Sequence, residues 1–416
     1  MNLSAATAPP ILTHRYANGL TLVVEPMAGV ASVGMTLLTP AGAATEPQAR
    51  QGVAGMLSEM IFRGAGKLDS RAHSDALDRL GVHRSSDVYT QHMRLGATMM
   101  GERVAEALPL LIDCVTRPHL ADDAFDPSRQ LAIASIEALE DDPQHKVMIE
   151  LKRHHLGEPI GRSTMGRIDH LEAMGVDDVR TFAEQRCVSG GSILAMAGCV
   201  DFEMVRDQIG ELIEDWSGAA DEIASNDPPA RSYHHMQAES AQQHIGVAYD
   251  TIGELDPQNM TQRVALAVLS GGMSGRLFTE VRENRGLCYS VYATYGAERG
   301  RGFVYGYAGT TPQRADETLQ VMTGELRRMA DGVDADEFDR AIVGLKSRLV
   351  MQGESTGARA ASLAGDQFMR GKPRTLDDIA AAIDDVTLDK LNDFVAAHKP
   401  GDMTTLNIGP EPLRND

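Results

Sequence analysis

Apolar positions along the first forty residues run in short unbroken or alternating stretches. Leu20 to Val24 and Ser32 to Leu38 are patterned as two strands, and the segment from Pro26 to Gly29 supplies a turn between them. The period then changes. Gln51 to Phe62 places Val53, Ala54, Met56, Leu57 and Met60 at helical spacing, and the same rule predicts helices over Arg103 to Thr116, Arg129 to Glu140 and Val176 to Glu184. Ser192 to Ala197 reads as a strand. Further on, His244 to Tyr249 and Met403 to Ile408 read as strands and Met260 to Ser270 as a helix. Strands and helices mix without strict alternation, which predicts an α+β fold.

The pattern occurs twice. Arg103-Val104-Ala105-Glu106-Ala107-Leu108 corresponds to Arg314-Ala315-Asp316-Glu317-Thr318-Leu319, 211 residues later. Asp123-Ala124-Phe125-Asp126 returns as Asp336-Glu337-Phe338-Asp339 at 213, and Leu171 to Phe182 parallels Ile383 to Phe394 at 212. Three matches in register define a duplicated domain. The periodicity lapses over 217–231, where Pro228-Pro229 lies among Gly, Ala, Asp and Asn. The expected organisation is therefore one domain over 1–216, a linker over 217–231 and a second domain over 232–416. A chain of 416 residues is long for a single core, which accords with that division.

With 39 basic against 59 acidic residues, the formal charge of −20 argues against a nucleic-acid partner. Its summed field favours basic peptides or simply keeps the chain in solution. Cys114, Cys187, Cys199 and Cys288 are scattered without a CxxC pair, as expected of reduced thiols in a reducing compartment. The first sixteen residues have neither a basic nor an apolar leader region, and no apolar run is long enough for a membrane span. The expectation is a cytoplasmic protein with no membrane partner.

Candidate chemistry lies in two blocks. Gln51-Gly52-Val53-Ala54-Gly55-Met56-Leu57-Ser58-Glu59-Met60-Ile61-Phe62-Arg63-Gly64 resembles GxAHFLEHMxFxGT, the motif of the pitrilysin/insulinase zinc peptidases. In that family HxxEH sets two imidazoles on one helical face to hold zinc, with a carboxylate beside them as base. The matching positions here are Gly55, Ser58 and Glu59. The family's third ligand, a glutamate about 76 residues beyond the second histidine, falls on Ser135, and the following Ile136-Glu137-Ala138-Leu139-Glu140-Asp141-Asp142-Pro143 keeps the register. Glycine and serine are no zinc ligands, so no metal or cofactor is expected in this chain. A relocated site on His73, His83, His92, His154-His155 or His234-His235 lacks metal-binding spacing with a carboxylate base.

The second block is intact. Ser270-Gly271-Gly272-Met273-Ser274-Gly275-Arg276-Leu277-Phe278 leads into Glu280-Val281-Arg282-Glu283-Asn284-Arg285-Gly286-Leu287-Cys288-Tyr289-Ser290-Val291, which resembles the family's SSRLFQEVREKRGLAYSV. The resemblance implies that Arg282 and Tyr289 are catalytic and contact substrate. Gly271 and Gly272, in a stretch without the GxxxxGK[ST] of a phosphate loop, are assigned to close backbone approach to substrate. Gly157 to Arg162, where the family has HPYGRP, is expected to be a structural loop. The simpler readings are that Arg282 is a helix-face charge paired with Glu280 or Glu283, and Tyr289 a half-buried strand residue.

The likeness spans nearly the whole chain. It implies two domains of the mitochondrial-processing-peptidase type, four of which enclose a peptide-sized chamber, so that this chain is half of a clamshell. It also implies a heterodimer in which a homologous subunit with intact HxxEH holds the zinc. This chain, the zinc-less subunit, would then supply Arg282 and Tyr289 to the peptide. The alternative is a catalytically inert structural or peptide-binding subunit of the same fold.

Overall fold

The computed structural model describes residues 10–223 and 227–414. It resolves into two compact units, and neither is a continuous stretch of chain. The first takes the described parts of 1–137, 162–225 and 352–375; the second takes 138–161, 226–351 and 376–416. The division expected at 217–231 captures the duplication, yet packing trades one segment in each direction. Residues 138–161 leave the first half for the second unit, and 352–375 leave the second half for the first. Ala224 to Asn226 of the expected linker lie outside the described residues. Of its flanks, Ala219 bridges Gly190 in the first unit, and Arg231 donates to the His155 carbonyl at 2.5 Å in the second.

The first unit is built on a six-stranded sheet of β1 (Leu12–Arg15), β2 (Thr21–Pro26), β3 (Ser32–Thr39), β4 (His83–Val88), β5 (Met93–Met100) and β6 (Ile193–Gly198). Their spatial order is β1-β2-β6-β3-β5-β4. β3 and β6 are central and buried along almost their whole length, so they read as continuous apolar runs. β4 closes one edge with the polar sequence HRSSDV, which suits an edge that must not recruit another strand.

One face of this sheet carries the main core, with Val53–Met60, Val104–Thr116 and Val176–Arg186 pressed onto it. The other face is covered by the helix Thr356–Arg370. Its Ala360, Leu363 and Ala364 meet Val23, Leu38, Ile193, Ala195 and Ala197. Small residues on both sides allow close approach. At Gly34 the approach is closest: a Cβ there would lie 2.3 Å from the Thr356 carbonyl oxygen. A buried ion pair also ties helix to sheet. Arg359, 1% exposed, contacts Glu25 of β2 through Nε at 2.6 Å and Nη2 at 2.5 Å, and Nη2 donates to the Arg374 carbonyl at 2.7 Å.

The second unit repeats the plan with β7 (Tyr233–Gln237), β8 (Gln243–Thr251), β9 (Cys288–Glu298), β10 (Arg301–Thr310) and β11 (Thr404–Gly409), ordered β7-β11-β8-β10-β9. Strand for strand this is β2-β6-β3-β5-β4. The parallel pair, β2 with β6 and β7 with β11, occupies the same place. β3 and β8 begin 211 residues apart, at Ser32 and Gln243, and so do β6 and β11, at Ile193 and Thr404. The main core packs Asn259–Ser270, Ala315–Arg328 and Leu388–Ala397 on one face. Val147 and Leu151 of the helix Pro143–Leu156 meet Ala248, Tyr307, Leu406 and Ile408 on the other. The two exchanged helices, starting at Pro143 and Thr356, are 213 residues apart and are equivalents in the repeat.

Candidate functional site

In the first unit, the helix Val53–Met60 begins after Gly52, whose φ of +105° suits glycine. Its free N-terminal amides are capped from outside the helix. Glu46, almost wholly buried, accepts from Gly52 N at 3.0 Å and Ala54 N at 2.9 Å. Burial pushes the Glu46 carboxyl up to about 8, with the two amides and Arg162 acting against it. Arg162, itself buried, donates from Nη1 to the Glu46 carbonyl at 2.6 Å and from Nη2 to Gln48 Oε1. The loop expected to be structural thus ends in an arginine that clamps the helix start, a role that escaped the sequence reading. A glutamate seven residues before the first helical residue matches no standard capping pattern.

On that helix Gly55, Ser58 and Glu59 occupy the positions of the family's zinc motif. A Cβ at Gly55 would come no closer than 3.6 Å to any atom, so packing does not exclude a larger side chain. Ser58 Oγ lies 2.7 Å from Ser86 Oγ on β4. Glu59 points outward and sits 3.8 Å from Arg63. Ser135 is on the helix Asp122–Glu137, which packs against Val53–Met60, and its hydroxyl donates to the Leu131 carbonyl at 2.9 Å. The four positions are therefore brought to two adjoining helices, but they offer no imidazole. Zinc does not fit this donor set.

All of the alternative histidines but His83 have structural partners. His73 Nε2 lies 3.1 Å from the Leu110 carbonyl, and His92 packs its ring on Phe368 at 4.7 Å. His154 stacks on His234 at 3.7 Å. His155 Nδ1 is 3.1 Å from Thr404 Oγ1, and His235 Nδ1 is 3.2 Å from Asn407 Oδ1. His83 is exposed on the edge strand β4. Among the described residues no three His, Cys, Asp or Glu side chains are grouped to hold an ion.

The second unit brings Arg282 and Tyr289 together. Phe278–Asn284 forms a widened, π-helical turn, a form that recurs at functional sites. The chain reverses at Arg285-Gly286, where Gly286 has φ +60° and its N donates to the Arg282 carbonyl at 3.0 Å. Thr310 Oγ1 donates to the Leu287 carbonyl at 2.6 Å, and Arg314 donates to that of Gly286, pinning the reversal to β10 and the residues after it. β9 then carries Tyr289.

Arg282 Nη1 donates to the Tyr289 carbonyl at 2.7 Å, while its guanidinium lies 4.7 Å from the Phe278 ring centre and 4.6 Å from that of Tyr289. Two aromatic faces and one carbonyl thus fix the orientation of the cation. Its other N–H groups make no hydrogen bond to a described residue. Arg282 forms an ion pair with neither Glu280 nor Glu283, Glu280 lying beside Arg328 at 3.8 Å, and Tyr289 is 83% exposed where a half-buried strand residue was the simpler reading.

Gly271 and Gly272 follow the helix Asn259–Ser270, and Ser270 Oγ accepts from Ala293 N of β9 at 2.8 Å. The loop is thereby anchored to the strand that bears Tyr289. A Cβ at Gly271 would lie 2.2 Å from the Ala267 carbonyl oxygen, whereas at Gly272 it would meet open space. Phe278 had no assigned role in the sequence reading, although its spacing of four from Arg282 was a usable signal.

Comparison with known proteins identifies the family. The family model described as Insulinase (Peptidase family M16) matches residues 22–167, and that described as Peptidase M16 inactive domain matches 173–345. The chain belongs to peptidase family M16. It is 27% identical over 404 residues to the uncharacterized zinc protease SCO5738 of Streptomyces coelicolor, covering 94% of this chain and 88% of the relative. It is 24% identical to the uncharacterized zinc protease YmxG of Bacillus subtilis, covering 90% and 92%.

Among solved structures, a peptidase M16 inactive domain from Pseudomonas fluorescens superposes with a TM-score of 0.89 at 20% identity, over 98% of this chain and 99% of that one. A protease from Helicobacter pylori gives 0.86 at 17% identity, over 96% and 99%. The fold is the two-domain α+β architecture of that family. No described helix is long and apolar enough to cross a membrane.

Proposed function

We propose that this chain is the zinc-less subunit of a heterodimeric zinc metallopeptidase, in which it binds the peptide and a homologous HxxEH subunit supplies the ion and the hydrolytic base. The observation that carries this is the Arg282 and Tyr289 pair. A guanidinium held between two aromatic rings, with N–H groups left over after its one bond to the Tyr289 carbonyl and an exposed phenol beside it, costs entropy to organise and leaves donors free for a ligand.

Two donors of that kind suit the oxygen of a scissile carbonyl. They gain strength as negative charge collects there, because they are already oriented when it does. Arg282 is the anchoring cation and Tyr289 the second donor, while Gly272, whose Cβ position is open, lets the peptide backbone come close and Gly271 serves the tight end of the helix before it. On this reading the ion belongs to the partner, and the four separate free thiols of this chain suit a reducing, cytoplasmic setting.

In the reconstituted pair, Arg282→Ala and Tyr289→Phe are expected to lower kcat by on the order of 10² to 10³ while zinc content is unchanged. Normal turnover by both variants would leave the inert structural subunit as the surviving reading.

A further inference from the structure

Beside the glycine loop the second unit has a shallow cleft between the helices Asn259–Ser270 and Ala335–Gly353. Gly271 and Ser274 line it on the loop side, and Glu337, Arg340, Gly344 and Arg348 on the other. The charges are unevenly spent. Glu337 is gripped by Arg276, whose Nε and Nη2 each reach a carboxylate oxygen at 2.6 Å, so its negative charge is neutralised in place. Arg340 and Arg348 are exposed, and neither makes a hydrogen bond or ion pair with a described residue.

Gly344 stands midway between them, one helical turn from each, and has no atom within 4 Å of where a Cβ would be. Two guanidiniums free of hydrogen bonds therefore flank an open gap on one helix face, Arg340 also lying in the field of Glu337 one turn before it. The chain's net charge of −20 repels anions at long range, so attraction of an anion here would be the short-range work of these two arginines.

We propose that this cleft is a subsite for acidic side chains of a bound peptide, with Arg340 and Arg348 as its specificity-determining residues; this rests on the peptidase-subunit reading above. Eight residues of helix separate the arginines by about 12 Å along the axis. An extended peptide advances about 3.3 Å per residue and presents alternate side chains to one face, so carboxylates four residues apart match that span. Arginine also suits carboxylate recognition, since its planar fork donates to both oxygens at once.

The test uses the full chain and two labelled ten-residue peptides of alanine, serine and threonine, one with Glu at positions 3 and 7 and its twin with Gln there. Fluorescence anisotropy at low salt is expected to show the Glu peptide binding on the order of tenfold more tightly than its twin. Arg340→Ala and Arg348→Ala, and likewise Arg340→Gln and Arg348→Gln, should each remove most of that preference, and added salt should erase it. Equal binding of the twins, no measurable binding of either, or a preference that survives both arginine substitutions overturns the subsite. Turnover of the reconstituted pair with Arg282→Ala and with Tyr289→Phe separates the two ideas. A loss there with no Glu preference sinks the subsite alone, whereas turnover unaffected in both variants sinks the reading on which it rests.

Discussion

Replacing Arg359 by alanine tests whether the helix Thr356–Arg370, taken from the second half of the sequence, is an integral part of the first unit. The wild-type guanidinium is 1% exposed, reaches Glu25 with two nitrogens and a backbone carbonyl with one, and leaves Nη1 buried without a partner. Removing it strands a carboxylate that is itself almost fully buried, and breaking a buried pair in this way costs about 3 to 5 kcal/mol. Stabilities of whole domains are about 5 to 15 kcal/mol, so the loss is a large share of the total. Removing both charges is a different perturbation. Arg359→Met with Glu25→Leu abolishes two desolvation costs and the orphaned Nη1 together, and is expected to be about neutral or stabilising. Urea unfolding of wild type, Arg359→Met, Glu25→Leu and the double mutant, with Arg359→Ala measured beside them and tryptophan fluorescence from Trp216 in the first unit's core as the signal, reads the coupling directly. A single mutant within about 1 kcal/mol of wild type, or a double mutant as damaged as the single, would refute the buried-pair reasoning.

Other expectations are quick to check. Phe278→Leu removes one of the two rings that hold the Arg282 guanidinium; a loss of about 0.5 to 1 kcal/mol of orientation should lower kcat of the reconstituted pair by about two- to fivefold, and an unchanged kcat would show that the ring is dispensable. Glu46 has its folded pKa raised to about 8 from an ordinary 4.5, so the folded state holds a proton that the unfolded state has released between those values. Stability should therefore fall as pH rises through that window, and Glu46→Gln should flatten the slope of urea midpoints between pH 5 and 8; a slope unchanged by the substitution contradicts the assignment. Gly34→Ala forces a methyl to 2.3 Å from the Thr356 carbonyl oxygen and should destabilise by about 1 to 3 kcal/mol in the same unfolding assay. Wild-type stability there would mean that the helix does not approach the strand so closely.

The central strands and the amphipathic helices were legible because burial imposes a period. Ser32 to Leu38 and Ser192 to Ala197 had to be strands buried on both faces, and Val53–Met60 had to turn its apolar residues inward. The duplication was legible as well, since the repeat distances recur in the strand starts. What periodicity cannot say is which sheet a helix covers. Pro143–Leu156 and Thr356–Arg370 carry apolar stripes that fit either copy, and only the small residues around Gly34, Ala195 and Ala360 reveal the seating actually adopted.

At the site, the spacing of Arg282 and Tyr289 across a glycine turn was readable, but the sandwich by Phe278 depends on a π-helical turn that no composition rule announces. Glu46 and Arg162 were hidden for a similar reason. Each is an isolated charge in a loop, and their meeting at the start of one helix is a product of tertiary structure.

The division of labour between two subunits is tested most directly by measuring bound zinc and peptide hydrolysis for this chain alone, for an M16 homologue with intact HxxEH alone, and for the two mixed. The account predicts that the isolated chain has only trace zinc and no hydrolysis, and that the mixture cleaves peptide far faster than either component, with one zinc per pair. A purified single chain that carries stoichiometric zinc and digests peptide unaided would contradict it.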